Sequence, residues 1–396
     1  MLGRAMGGCR TACWRAIITK QAAESAAWQP KAVHARWRVT GRVGLVGHQS
    51  EESTVKHKAI CGMALWLAAV AVQADDVVKT LKTTIPGRVT LSPTEVTVET
   101  PAATIERVPV NEIEWIAFEG EPLEMKTVRS EVAKGLYEAA LKTLEKLKPE
   151  RLTRPEVRQE VEFYRAYCTA RLALAGSGEI VPAGKLMTAF VRDYPQSHHT
   201  LEAYQMVGDL LVAMGEYARA RPYYEKVAAA PWPDYKMRAS VCVGQALLAE
   251  DKPAEALKYF DAVLQQKVEG SLADAQRRLA ILGKARCLAE TGQAAVAIKA
   301  LETQIARAPA DDVGYLAQAY NALGVALLKD NRPREAMFAF LHVDALYSAN
   351  REAHAEALYH LARVCRELRK LDRAREFETT LKEQYAESRW NRQATQ

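Results

Sequence analysis

One stretch constrains the fold of this chain more than any other: Leu201–Pro233, which reads LEAYQMVGDLLVAMGEYARARPYYEKVAAAPWP. Apolar and small residues recur in it at helical spacing, first on one segment and then on a second: Tyr204, Val207, Gly208 and Leu211, followed by Ala220, Tyr224 and Val227. Between the two segments, Gly215-Glu216-Tyr217 carries a turn signal. The stretch is therefore predicted to form a helical hairpin.

Related spacing returns down the C-terminal two-thirds of the chain, about every 34 residues. One helical hairpin cannot bury its apolar face alone, so copies at this period are expected to stack and share a continuous core. Gly244 with Phe260, and Gly324 with Phe340, mark two further copies. Because helices that cross at about 8–10 Å need small residues at the crossing, Gly324→Leu is predicted to unfold the neighbouring repeats.

This pattern resembles the tetratricopeptide repeat over residues 121–390. The resemblance implies a mainly α fold: a tetratricopeptide-like α-solenoid in which about seven hairpins wind into a right-handed superhelix. It also implies that the chain acts by binding a protein or peptide segment and not by catalysis.

The charge is concentrated at the N-terminus. Residues 1–58 contain ten Lys/Arg and three Asp/Glu, whereas the net charge of residues 75–396 is −1. Lys56-His57-Lys58, the uncharged run to Val72 and the sequence Val72-Gln73-Ala74 are together typical of a secretory signal peptide. We predict cleavage after Ala74, with residues 55–74 as the signal peptide and residues 1–54 as a spurious or disordered extension. The alternative is a buried helix or a membrane anchor.

From Arg88 onward the periodicity changes from helical to alternating. Val89 and Leu91 pair with Val96 and Val98 as a predicted β-hairpin, and residues 105–110 and 113–118 give two further strands. Residues 75–120 are therefore predicted to form a small barrel-like β-module, similar in size and strand order to SH3-like and Sm-like barrels. Residues 75–119 have a net charge of −4, which favours a structural or protein-contacting role over nucleic-acid binding.

The sequence contains no recognisable catalytic motif, and no cofactor is expected. Cys168, Cys242, Cys287 and Cys365 fall among the apolar residues of first helices and are interpreted as free thiols in the core. His198-His199 with Glu202 could bind a metal. Adjacent histidines project in different directions from a helix start, however, so an exposed cap without metal is the prediction. His354 and His360 lie six positions apart and are not expected to share a helical face closely. Asp311-Asp312 is interpreted as the start of a helix.

The resemblance also implies where a partner binds, because one face of each first helix in such arrays lines a concave groove. The corresponding residues here are Phe163, Tyr167, Arg171, Gln205, Asp209, Arg238, Gln245, Arg286, Gln318, Asn321, Tyr359, Arg363 and Arg366. Arginine recurs beside tyrosine or phenylalanine, a combination that can bind carboxylates and stack on planar groups. We predict a groove for an acidic, extended segment, with Arg286, Arg363 and Arg366 as anchors. The alternative is a helix face that is merely solvated.

Asp193-Tyr194-Pro195-Gln196-Ser197 resembles the connectors of bacterial envelope repeat proteins, such as outer-membrane assembly lipoproteins and the Tol-Pal coordinator. Together with the signal sequence, this predicts an exported, periplasmic scaffold that has no transmembrane segment in the mature chain and binds a protein partner. The alternative is an accessory subunit that positions a cell-wall or carbohydrate-active enzyme. Two further predictions are that a chain starting at Glu121 folds by itself and that Trp232 packs between repeats.

Overall fold

The computed structural model describes residues 76–395, which belong to one compact unit. The predicted extension (1–54) and signal peptide (55–74) lie outside these residues. In the described part, strands come first and helices follow. None of the helices there combines the length and the apolarity that crossing a membrane requires.

Six β-strands occupy the first part of the described chain. They span Val77–Thr80 (β1), Thr84–Pro86 (β2), Arg88–Thr90 (β3), Glu95–Glu99 (β4), Ile105–Pro109 (β5) and Ile113–Ala117 (β6). The predicted hairpin is confirmed, since β3 pairs antiparallel with β4 and Val89 lies opposite Val98. The last two strands also lie where they were expected, whereas β1 and β2 precede the segment in which the sequence indicated strands.

The strands form two antiparallel sheets, in the orders β2-β1-β6 and β3-β4-β5, and no ladder among the described strands joins the sheets. The barrel-like closure expected from the sequence is therefore not observed. Both sheets bury their apolar side chains in one core, to which Val78 contributes from the first sheet and Val96 from the second. Asp76 links the sheets, because it accepts hydrogen bonds from the main-chain nitrogens of Val89 (3.1 Å) and Glu119 (2.8 Å).

Fifteen α-helices follow in residues 124–394, and fourteen of them form seven successive hairpins. They span Glu124–Ala133 (α1), Tyr137–Leu144 (α2), Pro155–Leu174 (α3), Ile180–Asp193 (α4), Thr200–Ala213 (α5), Tyr217–Ala228 (α6), Pro233–Ala249 (α7), Pro253–Gln265 (α8), Ser271–Glu290 (α9), Ala294–Arg307 (α10), Val313–Lys329 (α11), Pro333–Leu346 (α12), Arg351–Glu367 (α13), Leu371–Gln384 (α14) and Arg389–Ala394 (α15). Two short 3-10 helices lie at Val110–Glu112 and Pro149–Arg151. The hairpin predicted at Leu201–Pro233 is α5 with α6.

Glycines on first helices lie against an aromatic ring of the second helix. A Cβ placed on Gly208 would lie 2.5 Å from the ring of Tyr224, and one on Gly324 would lie 2.5 Å from Phe340. Phe260 is approached from two hairpins, by Gly244 within its own and by Gly283 in the next. The four described cysteines are free and buried on first helices, as expected.

The β-module packs directly on the helical array. Arg154, which precedes α3, donates to both carboxylate oxygens of Asp76, at 2.6 and 3.2 Å. Asn111 donates to Asp234 near the start of α7 at 3.1 Å. The prediction that Trp232 packs between repeats is wrong: its half-buried indole packs against the core of the β-module, because the turn before α7 faces that module.

The last hairpin returns to the second and third hairpins. The main-chain nitrogen of Glu387 donates to the carbonyl oxygen of Gly176 at 3.4 Å, and Nε of Arg351 donates to Oγ of Ser177 at 3.0 Å. From α15, Arg392 donates to the carbonyl oxygen of Ala213 at 2.7 Å. These three contacts form the closure contact, which brings the end of the array against its beginning.

Candidate binding groove

The thirteen residues predicted to line a groove all lie on first helices, from α3 to α13. Their exposure divides them into three groups. Those exposed are Gln245, Gln318, Arg363 and Arg366; those half-buried are Tyr167, Arg171, Gln205, Asp209, Arg238, Arg286 and Tyr359; those buried are Phe163 and Asn321. Most of the predicted surface is thus partly accessible between the hairpins.

Phe163 and Asn321 cannot contact a partner directly, which corrects the prediction for these two. Phe163 is 2% exposed and stacks on the ring of His199, with 3.6 Å between ring centroids. Asn321 is 0% exposed, and its Nδ2 donates to the carbonyl oxygen of Ala353 and to Glu356. Both side chains instead hold successive first helices together.

Two of the three predicted anchors already have acidic partners within the chain. Arg286 pairs with Glu356, a buried carboxylate of α13 that also accepts from Asn321. Arg366 pairs with Glu378 of α14 at 2.6 Å and so points toward the second helix of its own hairpin. Of the predicted anchors, Arg363 alone has no ion pair among residues 76–395.

Three arginines of the groove set lie over tyrosine rings. The guanidinium carbon is 5.5 Å from the ring centroid in Arg171 over Tyr137, 5.3 Å in Arg238 over Tyr235 and 5.4 Å in Arg363 over Tyr359. Within the described chain, no carboxylate lies within 4.0 Å of Arg171 or Arg238. We call these six residues the Arg–Tyr set. The guanidinium of Arg363 also donates to the hydroxyl of Tyr359 at 3.2 Å. A guanidinium has five N–H groups, so such contacts leave donors for an anion.

Two arginines of the Arg–Tyr set, Arg171 and Arg238, lie near Asp209 of α5, whose carboxyl group is affected by the charge of both. Arg171 and Asp209 both experience the negative charge of Glu352, which begins α13 at the far end of the array. Nε of Arg171 is buried and has no hydrogen-bond partner among the described residues. Residues of the second, third and seventh hairpins are therefore close enough to interact, and we call the surface around Arg171, Asp209 and Glu352 the inner surface.

Asp209 supplies a titratable group on this inner surface. Its carboxylate accepts a hydrogen bond from the hydroxyl of Tyr224 at 2.8 Å. Burial raises the pKa of Asp209 to about 6, and the hydrogen bond from Tyr224 offsets only part of that effect. The inner surface consequently becomes less negative when Asp209 is protonated, which happens as the pH falls through the weakly acidic range.

The histidine pair at the start of α5 is not the exposed cap expected from the sequence. The side chains of His198 and His199 are 4% and 12% exposed, and both rings turn toward Glu160 of α3. The turn that places them is held by Ser197, whose hydroxyl accepts from Gln159 at 2.9 Å and from the main-chain nitrogen of His199 at 3.1 Å. Adjacent histidines can share one carboxylate here because they precede the regular helix.

The two rings have opposite electrostatic character. Burial, together with the charge of the neighbouring His199, lowers the pKa of His198 to about 3. Burial also disfavours the charged form of His199, but Glu160 outweighs burial and raises the pKa of His199 to about 9. The pKa of Glu160 is lowered: burial opposes this, and the charge of His199 overcomes it.

The other polar groups singled out in the sequence are structural. Asp312 caps α11 by accepting from the main-chain nitrogen of Tyr315 at 3.3 Å, as expected for a helix start. His354 bonds to Asp344 at 2.9 Å and to the hydroxyl of Tyr385 at 2.7 Å. His360 stacks on Phe340 at a centroid distance of 4.8 Å.

Sequence reasoning missed Tyr137, Tyr235 and Glu352. Tyr235 could have been found, because it precedes Arg238 by three positions on one helix and such pairs share a face. Tyr137 comes from the preceding hairpin and Glu352 from the last one, so neither carries a local signal.

A family model described as tetratricopeptide repeat matches residues 206–271, from within α5 to the end of the fourth hairpin. The sequences of the third and fourth hairpins are thus similar to tetratricopeptide repeats. No curated protein matches the chain. Among solved structures, a tetratricopeptide repeat protein from Parabacteroides merdae is 14% identical, with 69% of this chain and 98% of that chain covered and a TM-score of 0.44.

Two further solved structures are similar to this chain. PilW, a type IV pilus biogenesis factor, is 18% identical over 58% of this chain and 98% of its own, with a TM-score of 0.36. A Rap protein, solved in complex with competence and sporulation factor, is 14% identical over 68% of this chain and 77% of its own, with a TM-score of 0.47.

Proposed function

We propose that this chain is a non-catalytic scaffold that binds an extended, acidic segment of a partner protein on the inner surface of its helical array. The observation that carries the proposal is the Arg–Tyr set, in which Arg171 and Arg238 have no carboxylate partner within the described chain. A guanidinium has five N–H donors, so one that lies over a ring, and in Arg363 also donates to the tyrosine hydroxyl, keeps donors with which to bind a carboxylate. Arg171, Arg238 and Arg363 thus replace Arg286 and Arg366 as the proposed anchors.

The expected strength follows from the exposure of these groups. Each half-buried or exposed arginine contributes on the order of 1 kcal/mol to binding a carboxylate, because solvent screens the pair. Three such contacts together amount to about a hundredfold in affinity, since every 1.4 kcal/mol is tenfold. The affinity should fall as salt is added, because the contacts are ionic.

The test compares two triple charge reversals. Arg171→Glu, Arg238→Glu and Arg363→Glu remove the proposed anchors, while Arg219→Glu, Arg334→Glu and Arg375→Glu make the same change in charge on second helices. The probe is a fluorescent peptide of alternating glutamate and serine, with an alternating lysine and serine peptide as its counterpart. We expect the first triple variant alone to lose affinity for the acidic peptide, by tenfold or more.

Equal loss in both triple variants would show that net charge, and not the inner surface, attracts the peptide. Undiminished binding in the first variant would place the site on the outer face or on the β-module. The melting temperature of each variant must stay near that of the parent chain for the comparison to count.

We further propose export to the periplasm and a role in the bacterial cell envelope. The support is the basic, apolar and small-residue pattern from Lys56 to Ala74 together with the connector at residues 193–197. N-terminal sequencing of the natural protein tests this, with Asp75 as the expected first residue. Recovery of residues 1–54 on the mature protein would contradict it.

The rival proposal, an accessory subunit that positions a cell-wall or carbohydrate-active enzyme, makes a different prediction for a pull-down from envelope extract. A stable non-enzymatic partner, displaced by the acidic peptide, supports the scaffold. A hydrolase as the partner supports the accessory subunit.

A further inference from the structure

Three metal-ligand side chains converge where the second hairpin meets the third. One donor atom each from Glu160, His198 and His199 lies within 4.8 Å of the other two. Glu160 comes from the second turn of α3, whereas the two histidines come from the turn before α5. Two separate elements therefore supply an N,N,O donor set at one point of the fold.

The distances suit a small divalent ion. With metal bonds of about 2.0–2.2 Å to nitrogen and oxygen, the ligand atoms of a tetrahedral site lie about 3.3 Å apart. Oε1 of Glu160 is 3.0 Å from Nε2 of His199 and 3.7 Å from Nε2 of His198. Shifts of a few tenths of an ångström would bring both edges to the tetrahedral value.

Polar atoms at this point lack partners. Oε2 of Glu160 and Nδ1 of His198 are buried without a hydrogen bond in the described chain, although these residues are only 1% and 6% exposed. No hydrogen bond among the described residues involves the ring of His198. An unpartnered buried carboxylate oxygen is costly, and coordination of a cation would satisfy it.

The surroundings also fit coordination. Oε2 of Glu202 lies 3.8 Å from Nδ1 of His199, on the side of the ring away from Glu160. A carboxylate behind a ligating histidine is the usual way to fix its ring. Phe163 stacks on His199 and so limits the ring from a second direction. Glu160 and Glu202 would balance the two charges of the ion.

We propose that Glu160, His198 and His199 bind a divalent transition-metal ion, with Zn²⁺ as the class of ion that two imidazoles and one carboxylate favour. Such a donor set leaves one tetrahedral position open, which water or a partner's side chain can fill. The ion would tie the second hairpin to the third, because its ligands come from both. This inference is independent of the Arg–Tyr set.

The test uses tag-free, reduced, full-length protein treated with a chelator and then titrated with Co²⁺ alone, whose visible absorption reports a tetrahedral nitrogen and oxygen site. We expect one ion per chain, a rise in melting temperature with Zn²⁺, and displacement of Co²⁺ by Zn²⁺. Glu160→Gln and His198→Gln should each weaken binding tenfold or more. His342→Gln, which changes a half-buried histidine of α12, should leave binding unchanged.

Two results would overturn the proposal: no stoichiometric binding of Co²⁺ or Zn²⁺ by the parent chain, or binding that persists in both Glu160→Gln and His198→Gln. If these variants do not fold, the test is the anomalous difference map from crystals of the parent chain soaked in Zn²⁺. A peak between the three side chains supports the proposal, and the absence of a peak there contradicts it. A site found only at Cys168, Cys242, Cys287 or Cys365 also counts against the proposal.

Discussion

Arg392 donates a hydrogen bond to the main-chain carbonyl oxygen of Ala213 at 2.7 Å, although 179 positions separate the two residues. The last helix of the chain therefore rests on the end of α5. Nearby, Ser388 lies so close to Gly176 that a Cβ on that glycine would be 2.5 Å from Cβ of Ser388. The array is thereby held at both ends and not only from repeat to repeat.

Gly176→Ala tests the closure contact. Gly176 has φ of +77° and Gly215 has φ of +80°, so alanine at either position costs about 1 kcal/mol in backbone strain. No heavy atom lies within 4 Å of a Cβ on Gly215, whereas one on Gly176 meets Ser388. We expect Gly176→Ala to lower the free energy of unfolding by a further 1 to 3 kcal/mol, roughly, relative to Gly215→Ala. Equal losses in denaturant titrations would show that the closure contact adds no stability.

Gly324→Leu should disrupt the sixth hairpin. The added side chain would enter the space of the Phe340 ring, and overpacking of this size costs about 3 kcal/mol or more. Gly314→Ala on the same helix is the control, because the nearest atom to its Cβ is 3.9 Å away. Thermal melting should separate the two variants clearly, and an unchanged transition for Gly324→Leu would refute the helix packing described here.

Asp209→Asn should stabilise the protein at neutral pH. Because the pKa of Asp209 is raised to about 6 in the fold, the folded chain holds a proton that the unfolded chain loses above about pH 4, so stability falls between pH 4 and 6. Asparagine keeps an oxygen that can accept from Tyr224 and removes the charge. We expect a gain on the order of 1 kcal/mol at pH 7.5, after allowance for partial exposure.

The same comparison at pH 3.5 should show almost no difference, since Asp209 is then neutral in both states. Asp372→Asn is the control, because that side chain is 97% exposed. A gain that is constant from pH 3.5 to 7.5 would mean that the charge of Asp209 is not its cause.

A chain that starts at Glu121 should keep most of its helical circular dichroism, because each repeat is stabilised mainly by its neighbours. Its melting temperature should nevertheless fall, since Arg154 loses Asp76 and Trp232 loses the core against which it packs. With Trp390→Phe, Trp232 is the only tryptophan from Glu121 onward, and its emission in the shortened chain should lie at longer wavelength than that of a buried indole. Loss of the helical signal would show that the β-module is needed for the array to fold.

The helical part of the fold could be predicted from the sequence because its determinants are local. Gly208 and Tyr224, or Gly324 and Phe340, lie at a spacing that repeats, and the structure places each pair in contact. The contact of Gly283 was not predicted from the sequence, since this glycine packs against the ring of Phe260 in the preceding hairpin and not against a ring of its own hairpin. Strands β1 and β2 were missed because neither shows alternation of apolar and polar residues: β1 begins with two adjacent valines, and Ile85 of β2 is followed by a proline.

Contacts between surface side chains could be predicted from the sequence only where both side chains lie on one helix. The sequence showed that arginine and tyrosine recur, but not that Glu356 neutralises Arg286 from 70 positions away. His198 and His199 appeared to be a cap because their partner, Glu160, lies 39 positions earlier than His199. Pairings at such separations depend on how the hairpins stack, and no local pattern encodes them.

The closure contact also affects the order in which the chain can mature during synthesis. Hairpins that contact only their neighbours can fold as each one leaves the ribosome. Gly176 and Ala213 are synthesised early, whereas their partners Glu387 and Arg392 are synthesised much later. The hydrogen bonds between them cannot form before then. Contacts between distant positions slow folding because a long loop must close first. These contacts therefore form late, and the inner surface stays open until α15 has been synthesised.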